Sequence, residues 1–358
     1  MTSRPRHTRV SAILVSHDGA RWLPRTLAAV DAQRWPIDRL VVVDTGSDDA
    51  TTRILDEHLD EEYVQAPRDI GFGAALQLGV DQLDAYDPAT GADEWLWLLH
   101  DDAAPATGAL GYLLEAAGED PAIGVVGPKV RSWYDRRTLL EVGVSISRSG
   151  RRETGLDKKE QDQGQRDGLS DPLAVGSAGM LVRRDVWHQL RGFDPRLPLF
   201  RDDVDFCWRA HLAGYRVVCT TDAVVYHAEA GARDRRALSA TTDRPHQVDR
   251  RNALFLLLAN MPARSLPYIV VRSIAGAMLR TLGFLLGKQG GYAVDEFLGL
   301  LGPLSRPDRI IAARRARART RTVDPREIYP LLAPRGLSLR HAADAVWGLV
   351  SGSSESSA

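Results

Sequence analysis

The sequence predicts an α/β fold built on a mostly parallel sheet, followed by a helical and apolar C-terminal region. Through the first half, apolar strand-like runs alternate with helical patterns, which is typical of a parallel sheet covered by helices on both faces. Acidic residues directly follow several of these runs. Beyond about Arg244 the pattern becomes helical and strongly apolar, which predicts a second kind of region.

The first half predicts three buried strands, a short additional strand and their helices. Residues 10–15 predict the first strand and residues 20–33 the helix after it. The second strand, at 40–43, ends on Asp44, and the acidic pair Asp48 and Asp49 suits the positive end of the next helix dipole. The alternation continues with a short strand near 62–66, a helix near 72–83 and a strand at 95–99.

The middle of the chain changes composition. Residues 148–172 are polar, charged and poor in apolar side chains, so they predict a long mobile loop. Strand patterns resume at 174–177 and 180–182, followed by a helix near 204–213 and strands at 216–219 and 223–226.

The C-terminal region carries an apolar stretch at 253–287 that three arginines and two prolines interrupt. Because no run of about 18 uncharged residues exists there, an ordinary membrane-spanning helix is not expected. Helices that lie in a membrane interface are expected instead, and the seven arginines of 306–321 would attract an anionic leaflet. Helices packed as protein core are the alternative. The tail at 351–358 is expected to be disordered.

The bulk properties narrow the function classes. With 358 residues and a formal net charge of −1, the chain gives no overall electrostatic reason to bind nucleic acid. Cys207 and Cys219 form no recognisable ligand pattern and are expected as buried core thiols. The first residues show no apolar leader, so a cytosolic-facing protein is expected. The oligomeric state stays open.

Several acidic residues fall where an open α/β sheet places its ligands, outside the carboxyl ends of strands. A lone aspartate there is usually a turn or cap residue. The adjacent Asp101 and Asp102 are different, because two neighbouring carboxylates repel unless a cation or hydrogen bonds compensate. Oxygen ligands of this kind suit Mg²⁺ or Mn²⁺ beside phosphates. The cluster of Asp202, Asp203 and Asp205 precedes a helix, and His227 ends a strand.

Taken in order, these segments resemble the family-2 glycosyltransferases of the GT-A fold, over about residues 9–259. The segments that carry the resemblance are VVVDTGSDDAT, DIGFGAALQLGV, WLWLLHDDAAP, FRDDVDFCWRAHLAGYRV and AVVYHAEA. The resemblance is to bacterial rhamnosyl- and galactofuranosyl-type enzymes of the cell envelope. It implies a catalytic domain at 1–245, with a nucleotide-sugar half at 9–128 and an acceptor half at 129–245. The helical region would occupy 246–350.

The resemblance also implies roles for individual residues. Ser16, Asp44, Asp69, Gly71 and Asp101 would contact the nucleotide-sugar, with Asp101 as a ribose or supporting contact. Asp102 and His227 would bind the metal, either Mn²⁺ or Mg²⁺. His100 stands where many relatives have an acid or Asn. Asp202 would be the catalytic base, with Asp203 or Asp205 in reserve, and Gly179 belongs to a glycine-rich turn that lets backbone approach the substrates closely.

The implied reaction is an inverting transfer from a nucleotide-sugar donor to a glycan or lipid-linked acceptor. The enzyme would lie at the cytoplasmic face of the membrane or in the cytoplasm. Among the alternatives, a sugar-nucleotide nucleotidyltransferase should carry a glycine-rich phosphate loop after the first strand. A nicotinamide-dependent enzyme is suggested only by the incomplete motif Gly71-Phe72-Gly73. A catalytically inactive membrane-associated binding module is the third alternative.

Overall fold

The sheet is organised around its first strand, β1 (Thr8–Ser16), which lies between β2 (Arg39–Asp44) and β4 (Asp93–His100) and runs parallel to both. The computed structural model describes residues 8–59, 62–87, 93–231, 233 and 244–334. Successive side chains of a strand point to opposite faces. Ile13 therefore joins the core on one face of the sheet, and Leu14 joins the core on the other.

The other elements follow in chain order. The strands are β3 (Val64–Gln65), β5 (Ala103–Pro105), β6 (Ile123–Ser132), β7 (Leu139–Glu141), β8 (Ser145–Ile146), β9 (Arg152–Glu153), β10 (Leu169–Ser170), β11 (Leu181–Arg183) and β12 (Arg216–His227). The helices are α1 (Leu23–Asp31), α2 (Thr51–His58), α3 (Phe72–Val80), α4 (Ala109–Gly118), α5 (Arg184–Leu190), α6 (Asp202–Leu212), α7 (Pro245–Asn260), α8 (Leu266–Leu286), α9 (Gly290–Ser305) and α10 (Pro307–Thr320).

The main sheet is mixed, in the order β10-β12-β6-β11-β4-β1-β2-β3. The half formed by β3, β2, β1 and β4 is parallel, whereas β11 runs antiparallel between β4 and β6. Helices α1, α2 and α4 cover one face, and α3, α5, α6 and α7 cover the other. The predicted α/β architecture is confirmed.

Three predictions for the middle of the chain need correction. Residues 174–177 form no strand and make only an isolated bridge, Val144 with Ala174. The two strands expected at 216–219 and 223–226 are one strand, β12, whose pairing with β6 is irregular between Thr220 and Val224. The polar segment 148–172 contains the short strands β9 and β10. Ion pairs connect it to the sheet, and in one of them Lys129 Nζ lies 3.0 Å from Asp162 Oδ2. Its mobility stays a prediction.

The C-terminal helices begin at Pro245, where the domain boundary is predicted, but α7 is part of the main core. Leu254, Leu256 and Leu257 of this helix are buried with the apolar side chains under the sheet. Helix α9 packs on α7 and α8, and α10 packs on α7. The division into two domains therefore stays a prediction. Residues 335–358, which include the tail expected to be disordered, lie outside the described part of the chain.

Helix α8 differs from the expectation for the apolar stretch. Together with the short 3₁₀ turn before it, it forms a 24-residue segment, Ala263–Leu286, in which an 18-residue window has a mean hydropathy of 1.6. By length and composition alone this is enough to cross a membrane, despite Arg264, Arg272 and Arg280. Its side chains are mostly exposed, with Leu279 at 72% and Leu286 at 78%.

Candidate active site

A cavity of about 750 Å³ opens at the carboxyl ends of β1 and β4. This is the edge at which a parallel sheet collects its ligand-binding residues. The nucleotide-side wall comes from the loops after β1, β2 and β4, and the opposite wall from the second half of the chain. The lining includes Val15, His17, Thr45, Arg68, Gly71, His100, Asp101, Asp102, Glu141, Arg152, Ser177, Phe200, Arg201, Asp202, Asp203, His227, Glu229 and Asp249.

Asp101 lies beneath the turn that follows β1. Its side chain is buried, and Oδ2 accepts hydrogen bonds from Ser16 Oγ at 3.2 Å and from the His17 backbone amide at 2.8 Å. Thr26 Oγ1 donates to the Asp101 carbonyl at 2.8 Å. The carboxylate thus fixes the β1–α1 turn at the cavity floor. This position is compatible with the predicted supporting contact, which stays a prediction.

Asp102 belongs to a compact cluster with two histidines. His227 Nε2 lies 3.2 Å from Asp102 Oδ1, and His100 Nδ1 lies 4.0 Å from the same oxygen. One ligand atom from each of the three residues falls within 4.8 Å of the others. His100 Nε2 contacts Ser177 Oγ at 2.9 Å, which orients the ring. The cluster brings together the two predicted metal ligands and adds His100, whose role the sequence left open.

The donor set fits a divalent cation. Carboxylate oxygen suits Mg²⁺ and Mn²⁺, whereas imidazole nitrogen suits later transition metals, so a mixed set favours Mn²⁺ over Mg²⁺. The Ala230 backbone amide donates to Asp102 Oδ2 at 2.8 Å and fixes the carboxylate. Burial lowers the pKa of His227, but the charge and hydrogen bond of Asp102 outweigh it, so the pKa is raised overall.

Asp202 and Asp203 open α6, where acidic residues suit the helix dipole. Burial, together with the charge of Asp203, raises the pKa of Asp202 to about 7. Asp203 is neutralised from outside the helix, because Arg152 Nη1 donates to its Oδ2 at 2.9 Å. The same guanidinium also donates to Glu141 Oε2 at 2.7 Å. Of the two carboxylates, Asp202 is therefore the group suited to take up a proton near neutral pH.

Asp205 lies one helical turn further on and has a different environment. It is fully buried, and Arg209 Nε donates to its Oδ2 at 2.7 Å. Asn260 Nδ2 and Arg317 Nη2 donate to Oδ1 at 2.8 and 2.5 Å. Burial opposes ionisation, but the charges of Arg317 and Arg209 dominate and lower the pKa of Asp205 to about 2. Asp205 does not line the cavity, so the structure removes it from the candidate bases.

The turn before α6 is strained and is held by α7. Phe200 and Arg201 have φ of +59° and +69°, a left-handed conformation that costs free energy for residues other than glycine. Asn252 Nδ2 donates to the carbonyls of Leu199 at 2.6 Å and Phe200 at 3.2 Å. The Arg201 guanidinium donates to Asp249 Oδ1 at 2.6 and 2.9 Å. Helix α7 thereby fixes the turn that presents Asp202.

Three predicted nucleotide contacts do not line the cavity directly. Ser16 is buried and bonded to Asp101. Asp44 is also buried, and its carboxylate accepts hydrogen bonds from Ser47 Oγ at 2.5 Å and Ser47 N at 3.0 Å, as a turn residue does. Asp69 is exposed outside the lining. Their nucleotide contacts stay predictions.

The two predicted glycines have different positions. Gly71 lines the cavity with φ +81°, and a Cβ there would lie 3.0 Å from Pro198. Gly179 also has positive φ, +91°, but lies outside the lining, where a Cβ would come within 2.8 Å of the Val225 side chain. Glycine at position 179 therefore permits close packing of the turn before β11 against β12. Gly176, Ser177 and Ala178 of the same turn do reach the cavity.

The residues that surround the candidate base Asp202 were not predicted from the sequence. Arg152 lies in the polar segment expected as a loop, and Glu141 and Asp249 belong to no motif. No local signal marks them, because their partners are distant in sequence. Both cysteines are buried and free, as expected, and Trp187 and Trp208 are also core residues. Trp133 and Tyr134 do not line the cavity, and Tyr134 Oη accepts a hydrogen bond from Trp22 Nε1 at 3.1 Å.

Comparison with known sequences gives a consistent family. The family described as "Glycosyltransferase like family 2" matches residues 5–246. An N-acetylglucosaminyl-diphospho-decaprenol L-rhamnosyltransferase of Mycobacterium tuberculosis is 25% identical over 61% of this chain and 75% of the relative. Galactofuranosyltransferase GlfT1 of Mycolicibacterium smegmatis is 32% identical over 37% of this chain and 43% of the relative.

Comparison with solved structures supports the fold. GalNAc-T7 with UDP, GalNAc and Mn²⁺ has a TM-score of 0.52 at 15% identity, covering 71% of this chain and 48% of that chain. Residues 1–349 of S. aureus TarS with UDP-GlcNAc have a TM-score of 0.50 at 15% identity, covering 87% of this chain and 89% of that chain. At such identity the likeness shows the fold alone, which is the predicted GT-A architecture.

Proposed function

The chain belongs to the glycosyltransferase-like family 2, and from this premise we propose that it transfers a sugar, with inversion, from a nucleotide diphosphate-sugar to an acceptor hydroxyl. The observation that carries the proposal is the geometry of the cavity. A carboxylate with a pKa of about 7, Asp202, shares one cavity with the cluster of His100, Asp102 and His227. The site thus offers a candidate proton acceptor and residues that would hold a charge-stabilising cation, the two functions that the proposed reaction requires.

The chemistry of the step follows from these residues. The acceptor oxygen forms a bond to the anomeric carbon while the bond from that carbon to the diphosphate oxygen breaks. The hydroxyl proton passes to a carboxylate oxygen of Asp202. Because nucleophile and leaving group stand on opposite sides of the carbon, a single displacement inverts its configuration. Arg152 holds Asp203 in place and keeps its charge from raising the pKa of Asp202 further.

His100, Asp102 and His227 are the residues that would hold a divalent metal. A bound Mn²⁺ or Mg²⁺ would supply positive charge next to the diphosphate leaving group. Asp101 keeps the β1–α1 turn against this cluster through Ser16 and His17. The mixed nitrogen and oxygen donors support Mn²⁺ as the better fit.

The acceptor class is proposed from the relatives. The mycobacterial relative is named as acting on a diphospho-decaprenol-linked substrate, and a second relative is a galactofuranosyltransferase. We therefore propose a glycan or lipid-linked acceptor in cell-envelope polysaccharide synthesis.

The test of the reaction is a panel of nucleotide-sugars assayed for donor hydrolysis and transfer, with Mn²⁺, Mg²⁺ or EDTA. The Asp202→Asn variant should lose turnover by about 10²-fold or more while it keeps donor binding. Asp81→Asn, a change at an exposed carboxylate outside the cavity, is the matched control and should stay active. Turnover retained in Asp202→Asn would refute the base assignment, and activity that is unchanged in EDTA would refute the metal.

The C-terminal helices support attachment to a membrane, and we propose that the protein attaches at its cytoplasmic face. Exposed apolar side chains cover α8 and α9, among them Val271, Met278, Leu282, Leu285, Tyr292 and Phe297. Exposed apolar patches of this kind mark interaction or membrane surfaces. The arginines of α8 are not all available to lipid, because Arg280 pairs with the buried Glu296 at 2.9 Å.

Membrane attachment is tested with the variant Leu279→Glu/Leu282→Glu, whose two side chains are exposed and belong to no hydrophobic core of the described residues. It should fold normally and sediment less with vesicles than the unmodified protein. Equal sedimentation of the two proteins would refute the membrane placement of α8.

A further inference from the structure

A second cavity, of about 470 Å³, lies between the end of α7, the start of the α8 segment and α10. Leu212, Met261, Pro262, Ile311 and Pro325 give it an apolar lining. Four arginines of the α10 region, Arg314, Arg315, Arg317 and Arg321, complete it. No carboxylate lines it among the residues that the structure describes. This volume is in the range of ordinary small-ligand sites.

The four arginines are not equivalent. Arg317 is buried and neutralised, since its Nη2 lies 2.5 Å from Asp205 Oδ1 and 3.1 Å from Asp194 Oδ2. Arg314 is half-buried and uses only Nη1, which donates to the carbonyls of Leu258 and Met261 at 2.8 Å. These bonds fix the guanidinium but supply no counter-charge.

Arg315 and Arg321 are exposed at the same cavity, and their guanidiniums make no hydrogen bond or ion pair with any described residue. Burial, followed by the charges of Arg317 and Arg321, lowers the pKa of Arg314. The positive charges therefore repel one another across the cavity. Buried arginines elsewhere in the chain, such as Arg184 and Arg209, have carboxylate partners.

We propose that Arg314, Arg315 and Arg321 form a phosphate-binding site, and that the phosphate belongs to the headgroup of an anionic phospholipid. Guanidinium groups bind phosphate oxygens in paired hydrogen bonds, and a dianion or monoanion would relieve the repulsion between Arg314 and Arg321. Arg314 uses only Nη1 for its bonds to carbonyls of the described residues, which leaves Nε and Nη2 for a phosphate oxygen. The apolar lining, including Ile311, suits the glycerol and first methylenes behind a headgroup better than a hydrated free ion.

The lipid source is argued from the position of the cavity. Pro262 and Ala263 line it, and these residues lead directly into the exposed apolar helix α8. A phosphate bound there would lie at the headgroup level of a helix resting in the interface. The lipid assignment therefore rests on the proposed membrane placement, whereas the phosphate site rests on the arginines alone.

The test compares two double variants that remove the same charge from the α10 region. Arg315→Gln/Arg321→Gln changes the cavity. Arg309→Gln/Arg319→Gln changes exposed arginines that lie outside its lining and have no side-chain partner among the described residues. Binding of the full chain to phosphatidylglycerol and phosphatidylcholine vesicles is measured by co-sedimentation. Because each substitution removes part of the general attraction to an anionic surface, vesicle binding should weaken similarly in both variants, by about fivefold per arginine. The cavity variant should lose at least a further tenfold on phosphatidylglycerol, and equal losses in the two variants would overturn the proposal.

A second arm separates lipid from free phosphate. Thermal unfolding is followed with inorganic phosphate and with chloride at matched ionic strength. The site predicts that phosphate stabilises the unmodified protein and the control variant more than the cavity variant. If phosphate stabilises the protein in this way but the cavity variant shows no additional loss of vesicle binding, the site binds a free anion. That result would overturn the lipid source. Donor hydrolysis without vesicles is recorded in parallel, because its absence would refute the transferase mechanism and leave the vesicle comparison untouched.

Discussion

Replacing Asp202 by asparagine should make the protein more stable at pH 8, although the same change should stop turnover. Burial, with the charge of Asp203, raises the pKa of Asp202 from 3.8 to about 7. A raised pKa contributes stability below the unfolded value of 3.8, and this contribution is lost as pH rises through about 7. At about 1.4 kcal/mol per pH unit, the ionised Asp202 costs about 4 kcal/mol above pH 7, as an upper bound. Asparagine, a neutral isostere, avoids that cost.

The matched control is Asp205→Asn, one helical turn along α6. The charges of Arg317 and Arg209 lower the pKa of Asp205 to about 2 against the effect of burial. A lowered pKa contributes stability above pH 3.8, which is lost as pH falls through about 2. Removing this carboxylate leaves buried arginine charge without full compensation. The loss of one partner of a buried ion pair costs about 3–5 kcal/mol of folding stability. The two substitutions on one helix should therefore act in opposite directions at neutral pH.

The assay is urea unfolding of both variants between pH 5 and pH 8, followed by tryptophan fluorescence and by circular dichroism, in EDTA. The gain in Asp202→Asn should be largest at pH 8 and shrink to about 2 kcal/mol at pH 5, because ionisation of the unfolded chain then sets the difference. A variant that is less stable than the unmodified protein at pH 8, or a gain that is the same at both pH values, would refute the reasoning.

Three further predictions concern activity. The acid limb of kcat/KM should lie near pH 7. It should move to lower pH in Asp203→Asn, because this change removes a charge that raises the pKa of Asp202. It should move to higher pH in Arg152→Gln, because this change removes a charge that lowers the same pKa. Shifts of the same sign in a pH–rate series would contradict this. His227→Ala should weaken Mn²⁺ binding by about tenfold or more in calorimetry, whereas His188→Ala, outside the cavity, should not. Asn252→Ala should lower kcat by about tenfold or more with a smaller change in donor KM, because the turn before Asp202 loses the two hydrogen bonds that Asn252 Nδ2 donates to it. Steady-state kinetics with circular dichroism would show this, and an unchanged kcat would count against it.

The sequence predicts the nucleotide half of the fold well, because that half is locally encoded. Each strand of β1, β2 and β4 is an apolar run, and the residue that ends it is polar or acidic. Parallel neighbours then bring these ends to one edge of the sheet, so the position of Asp101 and Asp102 follows from pattern alone. The antiparallel insertion of β11 has no such signal, since its partners β4 and β6 are chosen by tertiary packing.

The site is less predictable because equivalent residues acquire different environments. Asp202 and Asp205 belong to one acidic cluster in the sequence, but their environments differ. Arg317 and Arg209 stabilise the negative charge of Asp205, whereas burial beside Asp203 makes a negative charge on Asp202 unfavourable. The decisive partner, Arg317, is 112 residues from Asp205. The sequence gives His100 no definite role, and only its distances to Asp102 and His227 identify it as a candidate ligand.

The pairing of Arg317 with Asp205 has a consequence for the order of events during synthesis. A ribosome releases the chain from its N-terminus, at about 5–20 residues per second. The helix that presents Asp202 is therefore made well before its counter-charge from α10 emerges. Until then Asp205 has only Arg209 and Asn260 as partners among its final contacts. Helix α6 can therefore complete its packing around Asp205 only after the segment that carries Arg317, 112 residues further along the chain, has been made.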